Sequence, residues 1–196
     1  MDTTTISTII IGAAVAIISV LSSSAKSPKR ASFSADKAEW YYNPAMYHYC
    51  KNTGKNPEDL DESDIDAIWN NACNHCSIFL TWAIMRNHCG DIHTTNEPEA
   101  LEKVKRREMT GTDFFIRYCD CTLSREDFSD SILPFLDAYY TSLFLDIYIE
   151  TTNKTLKKEP LAFGFCWDDY DVFESILDKA YKRWKFWNAR YVIFSK

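Results

Sequence analysis

The sequence predicts a mainly α-helical fold, a compact helical bundle with room for one small pair of strands, preceded by an N-terminal apolar helix. Apolar residues recur every three to four positions in several long windows, which is the period of an amphipathic helix. Cap residues, prolines and glycines lie at the ends of these windows. Of the 196 residues, 46% are hydrophobic and 15% are aromatic, which is enough to build the core of a single domain.

The N-terminal segment is predicted to hold the chain at a membrane. No residue between Asp2 and Lys26 is charged, and a helix of about 20 apolar residues crosses a hydrocarbon core of about 30 Å. The cations Lys26, Lys29 and Arg30 follow this segment, and the positive-inside tendency places them in the cytoplasm. We therefore expect a single-pass inner-membrane anchor over residues 1–25, with the rest of the chain cytoplasmic.

Two alternatives stay open for the same segment. One is a cleaved export signal, because residues 23–25 are the small residues that a signal peptidase requires. The other is a buried or peripheral helix. Residues 26–35 are small, polar and contain proline, which is typical of a flexible tether, so residues 36–196 are the predicted globular domain. The seven cysteines, an odd number, indicate no disulfide framework and favour a reducing compartment.

The first helices of the domain follow cap signals. Ser63 with Asp66 resembles a capping box, and the apolar stripe behind it predicts a long buried helix that ends before Gly90. Pro98 marks the first turn of a second, charged helix. Thr112 opens a short third helix.

The second half of the domain predicts two further helices. An apolar stripe after Pro134 indicates a long amphipathic helix, which residues 151–160 end as a polar loop. The acidic pair 168–169 caps the last helix. The segments 191–194 and 161–165 are rich in β-branched and aromatic residues, so they are the predicted strands.

The globular domain is acidic. The chain carries −6 at pH 7 and its first thirty residues carry +2, which leaves −8 on residues 31–196. Such a domain is a poor nucleic-acid binder, because phosphates need clustered cations, but it suits docking to a basic partner. None of the five glycines lies in a phosphate-cradling pattern, and the sequence has no G-x-S-x-G or H-E-x-x-H motif.

The sharpest local pattern is Cys73-x2-Cys76 followed by Cys89-x3-His93, which has the ligand types and spacings of a zinc site. The residues between Cys76 and Cys89 read as straight helix, and a helix of that length separates the two pairs by about 20 Å. We therefore interpret the cysteines as core residues and expect no metal or cofactor. A catalytic pair of the neighbours His75 and Cys76 is not expected either, because adjacent helix residues point about 100° apart.

Several segments resemble an uncharacterised bacterial domain family, whose members often carry DKAEWHY near the start and the pattern H-x4-L-x-W on a helix. This chain departs from the pattern at Tyr41, where His is usual, and in the insert-like stretch 43–62. Some members lie near toxin-immunity genes, so the resemblance implies an immunity-like role. The matching segments are 36–41 (DKAEWY), 75–82, 107–111 (REMTG), 119–120, 139–140 and 181–185.

The sequence leads to two functional hypotheses. The first is a membrane-tethered, immunity-like domain whose acidic, aromatic surface binds a basic protein such as a toxin, because exposed aromatic residues anchor interfaces. The alternative is an enzyme with a site around His75, Glu39 and Asp120. No residue is assigned a catalytic role, and no nucleic acid is expected. The candidate binding residues are Glu39, Trp40, His75, Trp82, Asp120 and Tyr140.

His75 is expected to be buried and to have a mainly structural role. The predicted long helix is apolar on all sides, so most of its surface should be covered. A buried imidazole needs a hydrogen-bond partner. Glu39, Asp120 or a tyrosine hydroxyl could supply it.

Overall fold

A computed structural model describes the chain from residue 32 to residue 194, with side chains to residue 188. In this part, seven helices and one two-stranded sheet form the fold, which confirms the mainly helical prediction. None of the helices in residues 32–194 is long and apolar enough to cross a bilayer. The predicted anchor over residues 1–25 lies outside the described residues.

The elements alternate short and long segments along the chain. One helix, α6, is a continuous segment over residues 133–156 in which α-helical stretches (Leu133–Phe135, Leu145–Thr151) alternate with π-helical ones (Leu136–Phe144, Thr152–Leu156). The other elements are β1 (Ala35–Lys37), α1 (Glu39–Thr53), α2 (Glu62–Met85), α3 (Asp91–Asn96), α4 (Pro98–Lys105), α5 (Gly111–Tyr118), β2 (Thr122–Ser124) and α7 (Trp167–Phe194).

Helix α2 is the centre of the domain. Every residue from Asn71 to Ile84 is buried, so the helix is covered on all sides, as its sequence predicts. Its capping box lies two residues earlier than predicted. Asp61, not Ser63, accepts the backbone N–H of Asp64, and the Asp64 carboxylate accepts the backbone N–H of Asp61 at 2.9 Å.

Helix α1 packs antiparallel to α2. The Tyr41 ring lies 4.2 Å from the imidazole of His75, while Tyr49, near the other end of α1, donates a hydrogen bond to Asp64 at the start of α2. Helix α5 contacts α2 at Gly111, which lies against Thr81. Helices α6 and α7 cover other parts of α2 through aromatic side chains.

The domain begins earlier than predicted. Strand β1 pairs antiparallel with β2, and Phe33 is buried in the core. The Phe33 N–H donates to Asp137 at 2.8 Å, and Arg125 donates to the Phe33 carbonyl. The prediction of a flexible tether over residues 26–35 is therefore wrong for residues 32–35, because a single large aromatic residue and its backbone hydrogen bonds hold this segment to the core.

The predicted strands are also wrong. Residues 191–194 continue α7, and residues 161–165 form turns, while the sheet pairs β1 with β2. The predicted polar loop 151–160 is helical as far as Leu156. A helix gains one hydrogen bond for each residue it adds, whereas a strand needs an adjacent edge, so an apolar run without a strand partner stays helical.

The close approach of α5 to α2 leads to the first prediction. A Cβ atom at Gly111 would overlap the Thr81 hydroxyl and lie 2.9 Å from the Ser77 carbonyl oxygen, which is backbone and cannot move aside. We expect Gly111→Ala to lower the free energy of unfolding by about 1–3 kcal/mol, as overpacking does. Urea denaturation at neutral pH measures it.

Gly164→Ala is the matched control, because a Cβ there would meet its nearest neighbour at 3.6 Å, an ordinary contact. Its free energy of unfolding should stay within about 0.5 kcal/mol of the parent. Equal stability of the two variants would show that α5 and α2 do not pack as described.

Candidate functional site

Two buried groups of side chains have the same composition. In each group an aspartate oxygen, a histidine nitrogen and a cysteine sulfur all lie within 4.8 Å of one another. We call Asp36, His75 and Cys76 the first cluster. The second cluster, found by the same search of the described residues, consists of His93, Cys119 and Asp127.

The first cluster joins three elements of the fold. Asp36 comes from β1, His75 and Cys76 come from α2, and Tyr140 of α6 completes the group. The Nε2 atom of His75 lies 3.3 Å from Asp36 Oδ2 and 3.3 Å from Cys76 Sγ. The Tyr140 hydroxyl donates to Asp36 Oδ2 at 2.7 Å and lies 3.4 Å from Cys76 Sγ. Four polar atoms therefore form a closed ring in the core.

The ring holds Asp36 in its charged form. Burial by itself raises the pKa of this carboxyl, but the hydrogen bond with His75 acts in the opposite direction. The hydroxyls of Tyr140 and Tyr41 add to this, and the pKa of Asp36 lies below its usual value. Burial and the Asp36 charge raise the pKa of the Cys76 thiol well above its usual value. At neutral pH the pocket therefore holds a carboxylate beside an un-ionised thiol.

Within residues 32–194, two polar atoms of the first cluster have no hydrogen-bond partner. They are Oδ1 of Asp36 and Nδ1 of His75, and both are buried. Most buried polar atoms in proteins are paired, because an unpaired one costs about 1–3 kcal/mol. The cluster thus has hydrogen-bonding capacity that its protein neighbours do not use.

The contact between His75 and Cys76 corrects an expectation. Adjacent helix residues were expected to point too far apart to meet, yet the imidazole nitrogen reaches the neighbouring sulfur at 3.3 Å. The 100° angle separates the two Cα–Cβ directions, but the long imidazole bends back over the short thiol side chain. The pair is still unsuited to nucleophilic catalysis, because a nucleophilic cysteine needs a lowered pKa and the pKa of Cys76 is raised.

The second cluster is held by hydrogen bonds. His93 Nε2 lies 2.8 Å from Asp127 Oδ1 and 3.6 Å from Cys119 Sγ. The other oxygen of Asp127 accepts from the backbone N–H and the hydroxyl of Ser124 in a capping box. Both carboxylate oxygens of Asp127 are therefore occupied, and the group has a structural role.

The four residues of the zinc-like pattern do not form one group. Cys76 belongs to the first cluster and His93 to the second, while Cys73 and Cys89 belong to neither. Straight helix does separate the two pairs, as predicted, because α2 runs unbroken from Glu62 to Met85. Cys73 and Cys76 are fully buried, which confirms them as core residues.

The six predicted binding residues do not form one site. His75 and Tyr140 meet in the first cluster, and the burial of His75 is confirmed. Trp82 is buried and donates its indole N–H to Asp178 of α7, so it joins two helices. The other three, Glu39, Trp40 and Asp120, are exposed.

The hydrogen-bond partner of His75 is none of the expected ones. It is Asp36, and neither Glu39, Asp120 nor a tyrosine hydroxyl hydrogen-bonds to His75 in the described structure. No described hydrogen bond therefore joins the three residues of the enzyme hypothesis. Sequence reasoning missed Asp36 and Cys76. Asp36 opens the DKAEWY segment, so its position in that motif was the available signal.

A separate feature is the outer side of α1. Trp40 and Tyr47 are 60% and 65% exposed, and they are seven residues apart, so they lie on one side of the helix. The exposed residues Asn43 and Pro44 lie between them on that side. We call Trp40, Asn43, Pro44 and Tyr47 the α1 face. Two surface depressions elsewhere, of about 360 and 450 Å³, do not include any predicted site residue.

These observations define the class as a small helical domain with a buried polar cluster at its centre and an exposed aromatic helix face. The chain belongs to the family described as Domain of unknown function (DUF7832), whose sequence model matches residues 34–161. The match includes both clusters and the α1 face and ends before α7. Searches of curated proteins and of solved structures found no match.

The ring of hydrogen bonds leads to the second prediction. Tyr140→Phe removes a donor to the buried Asp36 carboxylate, and we expect the free energy of unfolding at neutral pH to fall by about 1–3 kcal/mol. Because the pKa of Asp36 is lowered in the folded chain, its stabilising contribution is present above the ordinary value of 3.8 and is lost as the pH falls through the folded pKa. The difference between Tyr140→Phe and the parent should therefore narrow below pH 3.8.

Tyr139→Phe is the control, because the neighbouring Tyr139 hydroxyl is buried but has no hydrogen-bond partner. Removing it should leave the stability unchanged or raise it slightly. The measurement is the urea unfolding of the parent, Tyr140→Phe and Tyr139→Phe from neutral pH to below pH 3.8. An equal loss of stability in both variants would contradict the ring described above.

Proposed function

We propose that this protein is a membrane-tethered domain that binds a basic protein partner, in the manner of a toxin-immunity protein. The observation that carries the proposal is the α1 face, where a tryptophan and a tyrosine stay exposed on one side of a helix. Aromatic side chains of this kind supply most of the binding energy in protein interfaces. Their exposure in an unbound chain costs free energy that a partner would recover.

The spacing on the α1 face matches a helix that docks through one side. Trp40, Pro44 and Tyr47 are at positions i, i+4 and i+7, the pattern of anchors in helix-in-groove recognition. The opposite side of α1 is held against α2 through Tyr41 and Tyr42. The exposed aromatic residues therefore stand on a rigid support, which limits the entropy lost on binding.

The charge of the domain supports a basic partner. Residues 31–196 carry −8, and the segment that follows α1 exposes a run of acidic side chains. Opposite charge on a partner speeds association and disfavours wrong partners. The exposed acidic residues of this segment are Glu58, Asp59, Asp61 and Glu62.

The charge at the other end of the chain supports the membrane association. From Lys179 to the C-terminus the sequence holds six cations and no acid, with aromatic residues between them. Cations near a membrane surface are attracted to anionic lipids by about 1 kcal/mol each, and aromatic residues favour the interface. This end and the apolar segment over residues 1–25 would then act on the same membrane.

The α1 face leads to the third prediction. A photo-crosslinking residue placed at position 43 in living cells should form an adduct with a basic protein. With that partner purified, Trp40→Ala should weaken binding by roughly 30-fold, the effect of an interface hot spot of about 2 kcal/mol. The affinity should also fall as salt is added.

Ile92 provides the control, because it is an exposed apolar residue (46%) on a different helix. Crosslinker at position 92 should give no adduct, and Ile92→Ala should change the affinity by less than about threefold. If crosslinking is equal at positions 43 and 92, or if Trp40→Ala binds like the parent, the α1 face is not the interface.

The proposed orientation gives the fourth prediction. A reporter fused after Lys196 should behave as cytoplasmic, because the cations Lys26, Lys29 and Arg30 follow the apolar segment. A fluorescent-protein fusion should therefore be bright and an alkaline phosphatase fusion inactive. An active phosphatase fusion would place the domain outside the cytoplasm.

A further inference from the structure

A single histidine nitrogen lies between the carboxylate and the thiol of the first cluster. One atom, His75 Nε2, faces both Asp36 Oδ2 and Cys76 Sγ at 3.3 Å. A neutral imidazole nitrogen either carries one hydrogen or offers one lone pair. It can therefore donate to the carboxylate or accept from the thiol, but it cannot do both.

The three atoms converge as metal ligands do. In a tetrahedral zinc site with Zn–N and Zn–O of about 2.0–2.2 Å and Zn–S of about 2.3 Å, neighbouring ligand atoms lie roughly 3.3–3.7 Å apart. The His75–Asp36 separation of 3.3 Å matches the nitrogen–oxygen end of this range. The His75–Cys76 separation of 3.3 Å is shorter than the roughly 3.5–3.7 Å that the longer Zn–S bond requires, so the sulfur would move outward slightly on binding. We propose that Asp36 Oδ2, His75 Nε2 and Cys76 Sγ bind one divalent transition-metal ion, with zinc as the ion that suits this donor set.

Tyr140 has a supporting role in this site. Its hydroxyl lies 2.7 Å from Asp36 Oδ2, too close for both oxygens to be ligands of one ion but ideal for a hydrogen bond. It therefore orients the carboxylate from outside, as the outer partners of metal ligands commonly do. The ligand set is then three protein atoms, which leaves a fourth position on the ion open.

The electrostatics of the pocket favour a cation. Asp36 is buried, and in the described residues no Lys or Arg lies within ion-pair distance of it. Its second oxygen, Oδ1, accepts no hydrogen bond within the described part of the chain. Burying a carboxylate beside a thiol costs free energy when no positive charge is near. A metal ion bound between the three ligand atoms would supply that positive charge.

The chemistry of binding is a proton exchange. The Cys76 S–H bond breaks, the sulfur forms a bond to the ion, and the proton leaves to solvent. The hydrogen that Nε2 of His75 donates to Asp36 leaves to solvent and Nδ1 takes one up, so the imidazole stays neutral and the lone pair of Nε2 is available to the ion. No electron is transferred. The ion links β1 to α2, and so fastens the first segment of the domain to its central helix.

The second cluster shows why the proposal is limited to the first. There the His93–Asp127 distance of 2.8 Å is that of a direct hydrogen bond, and both carboxylate oxygens of Asp127 are already occupied. The sulfur of Cys119 lies farther away, at 3.6 Å. The proposal departs from the expectation of no metal, which considered only the spacing of Cys73, Cys76, Cys89 and His93.

The test uses the full chain, stripped with a chelator and titrated with Co²⁺, whose thiolate complexes absorb in the near ultraviolet. We expect one equivalent of Co²⁺ to produce this charge-transfer band and one zinc per chain after reconstitution and dialysis. Cys76→Ser and Asp36→Asn keep the side-chain shapes, and each should remove the band or weaken binding at least tenfold. Tyr140→Phe should keep the stoichiometry and weaken binding by about 10- to 100-fold.

Cys119→Ser is the matched control, because it changes the same residue type in the second cluster. It should bind Co²⁺ like the parent. Far-ultraviolet circular dichroism confirms that each protein is folded before titration. The proposal is overturned if the folded parent binds no metal, if the band survives in folded Cys76→Ser, or if it disappears in Cys119→Ser. None of these outcomes bears on the α1 face, whose partner is tested separately.

Discussion

The burial of helix α2 on all sides from Asn71 to Ile84 is the constraint on which the rest of the structure depends. A helix that is apolar on all sides must be covered on all sides, and in a domain of this size no single neighbour can do so. Helices α1, α4, α5, α6 and α7 each cover a different part of it, and β1 is the segment that leads into α1. The positions of these helices around α2 therefore define the architecture of the domain.

Burial also decides where the polar groups of α2 find partners. A polar side chain in the middle of this helix cannot reach water, so its partner must come from a covering element. Asn74 donates to the Tyr148 hydroxyl of α6, and Trp82 donates to Asp178 of α7. His75 and Cys76 meet Asp36 of β1 in the same way. In the first cluster not every buried polar atom finds a partner, because Asp36 Oδ1 and His75 Nδ1 accept or donate no hydrogen bond in the described residues.

The two proposals concern opposite sides of the same hairpin of α1 and α2. The inner side carries the buried first cluster, where shape and charge suit a metal ion. The outer side carries Trp40 and Tyr47, which the core does not use. An ion that binds both β1 and α2 would also restrict the motion of the first residues of α1, because only Ala38 separates β1 from α1. The Ala38 N–H already donates to the Cys121 carbonyl. A rigid α1 is what a docking face requires.

The sequence by itself predicted helices α2, α4, α5, α6 and α7 and the burial of His75, but it did not predict α1 or α3. Apolar periodicity reports the face of a helix directly, because the period depends only on local geometry. It could not give the register of the capping box at Asp61, since the four consecutive acidic or hydroxyl residues 61–64 offer several equivalent caps. The tertiary structure alone decided the sheet, because strands of three residues have no periodicity to detect and form only where two distant segments meet. For the same reason it alone brought Asp36, the predicted first residue of the globular domain, to His75 across 39 positions of sequence.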